Sequence, residues 1–149
     1  RNMAKNQMTL DTSGLEAALS RLVATVSPER ARQVVEENLE KIGQKVSADT
    51  SEAVEPGNLP AGGTYSHGAT AKEVIKDAKV TWDGDGVAWI PLGFDWDEPG
   101  VGGWLISGTP KYDPNPMLRR MFKGKKYMKD LQDELATAVW SEIINEEGR

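Results

Sequence analysis

The chain has 149 residues, 38% hydrophobic and 28% charged, the size and composition of one globular domain rather than of two domains or a disordered chain. With no Cys and a single His, it excludes a disulfide framework, a cysteine nucleophile, a thiolate-bound metal or cluster and a histidine-rich metal site. The net charge is -5, no apolar run is long enough to cross a bilayer, and no signal-peptide pattern opens the chain.

In chain order, Ser13-Gly14-Leu15-Glu16 has the S-x-x-E form of a capping box, and Leu15, Leu19, Leu22, Val23 and Val26 follow at helical spacing. Ser27-Pro28-Glu29 ends that helix and begins a second, because Pro at the first helical position loses no hydrogen bond. The second helix, with Val35, Leu39, Ile42 and Val46 on its apolar face, is expected over residues 28 to about 48. Residues 50–71 lose all periodicity and carry Glu55-Pro56-Gly57, Leu59-Pro60, Gly62-Gly63 and His67-Gly68, the signature of a long mobile loop or arm.

Val74, Ala78, Val80 and Trp82 then read as a half-buried strand, Asp83-Gly84-Asp85-Gly86 as a tight hairpin, and Val87-Ala88-Trp89-Ile90 as the returning strand. Pro91 either stops that strand or puts its far end on a sheet edge. A glycine-rich acidic connection leads to the short apolar run Trp104-Leu105-Ile106 and a turn segment containing Pro110, Pro114 and Pro116. From Met117 the helical pattern resumes, with a break at Gly124 between a short helix and a long one. Met128, Leu131, Leu135, Val139 and Ile143 form the apolar face of the last helix. The expected fold is a single α+β domain over 1–149. In it a small antiparallel sheet packs against two N-terminal helices and a long C-terminal helix, with a long extended loop.

Few residues carry chemistry. Asp95, Asp97 and Glu98 share one loop but lack the spacing of a calcium loop, and turn formation already accounts for Asp83 and Asp85. His67 has no nucleophile or orienting partner nearby, and no nucleophile elbow, phosphate loop or dinucleotide fingerprint occurs. No catalytic residue, metal or cofactor is expected, and the chain does not read as an enzyme.

The strongest signal is electrostatic. Residues 1–110 carry 10 basic and 16 acidic side chains, residues 111–129 carry 7 and 1, and residues 130–149 carry 1 and 6. The basic block of Arg119, Arg120, Lys123, Lys125, Lys126 and Lys129 is interleaved with Met121, Phe122 and Tyr127, so one face can pack while the other stays cationic. Read as a helix start it opposes the macrodipole, which points to contact with DNA phosphates or with an acidic neighbouring subunit. No groove-reading motif accompanies it. Of the five Trp, those at 82, 89, 104 and 140 are expected mostly in core or sheet packing, whereas Trp96 in its Gly/Asp loop is a candidate interface anchor.

The segment Trp104-Leu105-Ile106-Ser107-Gly108-Thr109-Pro110-Lys111-Tyr112-Asp113-Pro114-Asn115-Pro116-Met117-Leu118-Arg119-Arg120 resembles the tail-component, or tail-completion, family of tailed bacteriophages and prophages. Its members carry an aromatic-rich strand, a Gly-Thr pair, a small spacer, and a Pro followed by a large apolar pair before a final helix. Gly14-Leu15-Glu16 through Leu22 is similar to the family's first helix, and Gly57-Asn58-Leu59 loosely matches the Pro, Thr-Gly and Leu that precede a strand. The resemblance implies a structural virion protein at the phage neck, joining the head connector to the tail tube within a homo-oligomeric ring. Its implied partners are connector or head-completion proteins and tail-terminator or tail-tube proteins, with nonspecific contact to packaged DNA and none to membrane. Its implied location is the head–tail interface of the virion, and the host cytoplasm during assembly. The protein-contact candidates are Leu59, Tyr65, Asp95, Trp96, Asp97, Thr109, Tyr112, Arg119, Arg120, Lys123, Lys125 and Lys126. A DNA channel would be met by Arg119, Arg120, Lys123, Lys125, Lys126 and Lys129. The alternative reading is a nucleic-acid-binding module using residues 119–129.

Overall fold

The computed structural model describes residues 7–12, 15–54, 75, 79–83, 87–94, 101–108, 110 and 113–148, without the side chains of residues 7, 8, 11, 101, 102 and 104. Among the described residues eight elements follow one another: β1 (Gln7–Asp11), α1 (Glu16–Thr25), α2 (Pro28–Val54), β2 (Thr81–Trp82), β3 (Ala88–Gly93), α3 (Val101–Ser107), α4 (Pro116–Lys123) and α5 (Lys125–Glu147). The fold is α+β, mostly helical, with a three-stranded antiparallel sheet in the order β1-β3-β2.

The sheet explains how Pro91 is accommodated in its central strand. Thr12 N–H donates to Ala88 C=O at 3.1 Å, and Ala88 N–H to Thr12 Oγ1 at 3.2 Å, so the backbone groups of Ala88 point toward β1. Alternation along the strand turns the backbone of Trp89 and Pro91 the other way. There β2 pairs only Trp89 and Ala88, so Pro91, opposite Thr9 on β1, lies beyond the end of the β2 ladder and its missing N–H breaks no bond. Pro91 therefore occupies a local edge and does not stop β3.

Two apolar clusters hold the helices to this sheet. In the larger, Leu10, Ala88, Ile90 and Leu92 of the sheet meet Ala18 and Leu22 of α1, Leu39, Ile42 and Val46 of α2, and Leu131, Leu135, Val139 and Ile143 of α5. The contact between α2 and β3 is close: a Cβ placed on Gly43 would stand 2.7 Å from Ile90 Cδ1. The smaller cluster joins Ala53 and Val54 at the end of α2 to Phe94, Leu105, Ile106, Leu118 and Met121. Phe94 and Phe122 stack there with centroids 6.2 Å apart, and Phe122 and Tyr127 pack against both clusters.

Several expectations are corrected. The second helix continues to Val54, so residues 50–54 belong to it and not to the arm. Thr50, Ala53 and Val54 are buried there, and Thr50 Oγ1 donates to Val46 C=O at 2.6 Å, a bond that satisfies its hydroxyl inside the helix. Trp104-Leu105-Ile106 lies in helix α3 and is not the strand that the family pattern implies; a short apolar run is compatible with either, and burial of Leu105 and Ile106 beside α4 decides it. Val23 is 54% exposed, so the α1 face narrows to Ala18 and Leu22 with Leu15, Leu19 and Val26 at its margins. Trp140 is 41% exposed rather than core. Of the strand expected from Val74, the described residues form a regular strand at Thr81–Trp82 and a bridge between Ile75 and Phe94, while Val74 and Ala78 lie outside the described residues. β1 carries only Met8 and Leu10 as an apolar alternation and was not anticipated. The capping box rests on Ser13, outside the described residues; α1 begins at Glu16 after Leu15, which supplies no side-chain cap. For α2 the punctuation reads correctly: Ser27 Oγ accepts from Arg30 N–H at 3.1 Å, with Pro28 at the first helical position.

Candidate functional site: the basic corner between α4 and α5

The corner is built from Asn115. This side chain is 1% exposed, and its Oδ1 accepts from Met117 N–H (3.0 Å) and Leu118 N–H (3.1 Å), capping α4. Its Nδ2 donates to Ala53 C=O at 2.7 Å, which satisfies a carbonyl in the last turn of α2, and its backbone N–H donates to Leu105 C=O at 2.7 Å in α3. One side chain thus fixes the start of α4 against the ends of two other helices. Helix α4 then runs to Gly124, which ends it with N–H donating to Arg120 C=O at 3.1 Å and also starts α5. A Cβ on Gly124 would stand 2.5 Å from Arg120 O, so the tight corner needs glycine for space, its φ of -77° being open to any residue.

Placing the break at Gly124 changes the electrostatic reading of the basic block. Arg120 and Lys123 occupy the last turn of α4, where cations complement the helix dipole. Arg119 falls in the first turn of α4, and Lys125, Lys126 and Lys129 at the start of α5, where the expected opposition holds. Two of these are answered locally: Lys126 Nζ lies 2.8 Å from Asp130 and Lys129 Nζ 3.2 Å from Asp133, each one turn along α5. The hydrogen bond from Lys126 holds the Asp130 carboxyl below its ordinary range, and the same bond raises the Lys126 ammonium. Arg119, Arg120, Lys123 and Lys125 are exposed and make no ion pair with another described residue.

A groove of about 420 Å³ runs beside these cations between α2, α4 and α5. Met117, Met121 and Leu131 supply its apolar walls; Lys45, Arg120, Lys125 and Lys126 line it with Asp49 and Asp130. Tyr127 closes one side by donating its hydroxyl to Asp49 Oδ2 at 2.7 Å. Burial, and then the Asp49 carboxylate, push that phenol well above the ordinary tyrosine range, so it stays a neutral donor. Lys45 bonds Glu134 at 3.2 Å, which leaves Arg120 and Lys125 as the groove cations without an ion-pair partner among the described residues. Met117 is 42% exposed beside them.

The basic residues predicted from sequence thus come together on one corner. Leu59, Tyr65, His67, Asp95, Trp96, Asp97, Glu98, Thr109 and Tyr112 lie outside the described residues. Sequence reasoning missed Asn115, although Asn ahead of Pro-Met-Leu is a helix-start signal, and it missed Lys45, Asp49 and Met117 as groove walls. A second groove of about 490 Å³ lies between α1, α2 and β2, bordered by Leu19, Val23, Val35 and Trp82. There Arg32 stacks 4.7 Å above the Trp82 ring, and Trp82 Nε1 donates to Glu36 at 2.6 Å.

Among the described residues no three acidic or histidine side chains group so as to hold a metal ion, and no described helix is long and apolar enough to cross a membrane. Compared with known protein families, curated proteins and solved structures, the chain matches none.

Proposed function

We propose that this chain is a structural virion protein of a tailed phage or prophage, joining the head connector to the tail tube as part of a ring at the neck. It would act at the head–tail interface after assembly in the host cytoplasm, and not as an enzyme. The observation that carries the reading is the α4–α5 corner: exposed Arg119, Arg120, Lys123 and Lys125, without an ion-pair partner among the described residues, beside a groove with apolar walls, the mixture that protein contacts favour. Residues 104–120, which carry the family resemblance, include the second half of α3, the Asn115 cap and the start of α4, the helix that carries Arg119, Arg120 and Lys123. Exposed Trp140 and Ile144, one turn apart on α5, add apolar surface elsewhere for a neighbour.

The test is the mass of the purified chain alone and with the connector and tail-tube proteins of the same phage or prophage. A defined ring or a stable complex with a neck protein is expected. Unchanged mass with every neck partner, together with normal virion assembly when the gene is deleted, would overturn the reading. The four exposed cations also favour a second reading, nonspecific DNA contact. It requires duplex binding that falls steeply with salt, with a log–log slope of about -3.6 if all four cations meet phosphates.

A further inference from the structure

We propose that the groove between α2, α4 and α5 is a self-association site, and that its occupant is the Asp95-Trp96-Asp97-Glu98 segment of a second copy of this chain. The inference deepens the ring reading above and names the contact within it. The groove asks for a particular ligand chemistry. Its walls at Met117, Met121 and Leu131 are apolar, and two of the three are methionines, whose flexible, polarisable thioethers adapt to an aromatic ring. Its rim carries Arg120 and Lys125 with no acidic partner among the described residues, and Arg119 and Lys123 lie in the same short stretch.

The start of α5 adds to this demand. Gly124 provides no side-chain cap, and the first turn of α5 holds no acidic residue, so its N–H groups and Lys125 have no carboxylate of that turn to answer them. Both the helix dipole and the cations therefore favour an incoming carboxylate. A fitting occupant is a short segment with several carboxylates flanking one large apolar anchor. Residues 95–98 have that composition: three carboxylates around a single Trp in four residues. A Trp ring buries about 150–250 Å² on docking, and the groove of about 420 Å³ is large enough for it. Head-to-tail use of two different surfaces propagates into a closed ring when the rotation between copies closes.

The experiment is a charge-swap pair in the full-length chain, followed by sedimentation velocity over a concentration series. One variant is Arg120→Glu with Lys125→Glu; the other is Asp95→Lys with Asp97→Lys. Each alone is expected to associate about 10–100-fold more weakly than the wild type while melting at the same temperature. Mixed in equal amounts they regain association, because the intact segment of the first variant meets the intact groove of the second. Trp96→Ala is expected to weaken association about 30-fold or more without lowering the melting temperature. Wild-type chain that stays monomeric at every concentration, variants that associate like the wild type, or a mixture that stays monomeric would each overturn the proposal. So would loss of duplex-DNA binding in the Arg120→Glu, Lys125→Glu variant with self-association intact. Association restored by mixing, with no neck partner bound, would uphold this contact while overturning the neck assignment. A ring formed with neck partners through another surface would do the reverse.

Discussion

Replacing Asn115 with Ala removes three side-chain hydrogen bonds at once from a residue that is 1% exposed. Loss of the two bonds from Met117 and Leu118 N–H is loss of a helix cap, worth about 0.5–2 kcal/mol. The Ala53 carbonyl loses its donor from Nδ2, and Ala53 is itself fully buried, so water does not replace it; an orphaned buried acceptor costs about 1–3 kcal/mol. The two losses are partly coupled because they share one side chain, and we expect a net destabilisation of about 2–4 kcal/mol. For a domain of this size that lowers the melting temperature by about 5–15 °C. Asn115→Ser separates the contributions, since its hydroxyl can still cap α4 but is too short to reach Ala53 C=O. The assay is urea unfolding at constant m-value, in which Ser should fall between wild type and Ala. If Asn115→Ala lies within about 0.5 kcal/mol of wild type, the corner does not depend on this residue and the argument is refuted.

Two further predictions concern packing and titration. Gly43→Ala places a methyl against Ile90 Cδ1, so a helix-propensity gain of about 1 kcal/mol opposes an overpacking cost of about 1–3 kcal/mol; Ile90→Val removes Cδ1 and should rescue the alanine in a double-mutant cycle, whereas purely additive effects would contradict the close α2–β3 approach. Tyr127→Phe should cost about 1 kcal/mol at neutral pH by removing the bond to Asp49. Because the folded phenol is raised above its ordinary value of 10.0, its contribution is complete below that pH and is lost as pH rises toward the folded value. Unfolding measured above pH 10 should therefore show a decline in stability that is smaller in Tyr127→Phe; equal declines in the two proteins would refute the assignment.

Legibility in the sequence followed the strength of local signals. The α2 face of Val35, Leu39, Ile42 and Val46 and the α5 face of Met128, Leu131, Leu135, Val139 and Ile143 were readable because 3.6-residue periodicity persists over several turns; all are buried except Met128, which is partly buried. The break at Gly124 and the start at Pro28 were readable from backbone chemistry alone. The short elements were not. β1 has too few residues to show an alternation, α3 is an apolar run without a period, and the extension of α2 through Thr50 depends on a cluster that Phe94, Leu105 and Leu118 complete from distant parts of the chain.

The candidate site divides in the same way. That a concentrated basic block interrupts an acidic chain is a property of the sequence, because charge and spacing are written residue by residue. Which of those charges are answered is decided by the helices themselves, through i,i+4 spacing and the position of the break between them. Asp130 and Asp133 answer Lys126 and Lys129 once α5 is formed, while the Gly124 corner turns Arg120 and Lys123 into favourable ends of α4. The groove exists only because α2 brings Lys45 and Asp49 alongside α4 and α5, and Asn115 ties α4 to the end of α2. Composition and periodicity determine helices, their faces and the sign of a surface. Packing over long sequence separations determines which side chains meet, because a contact between residues 53 and 115 leaves no local trace in either segment.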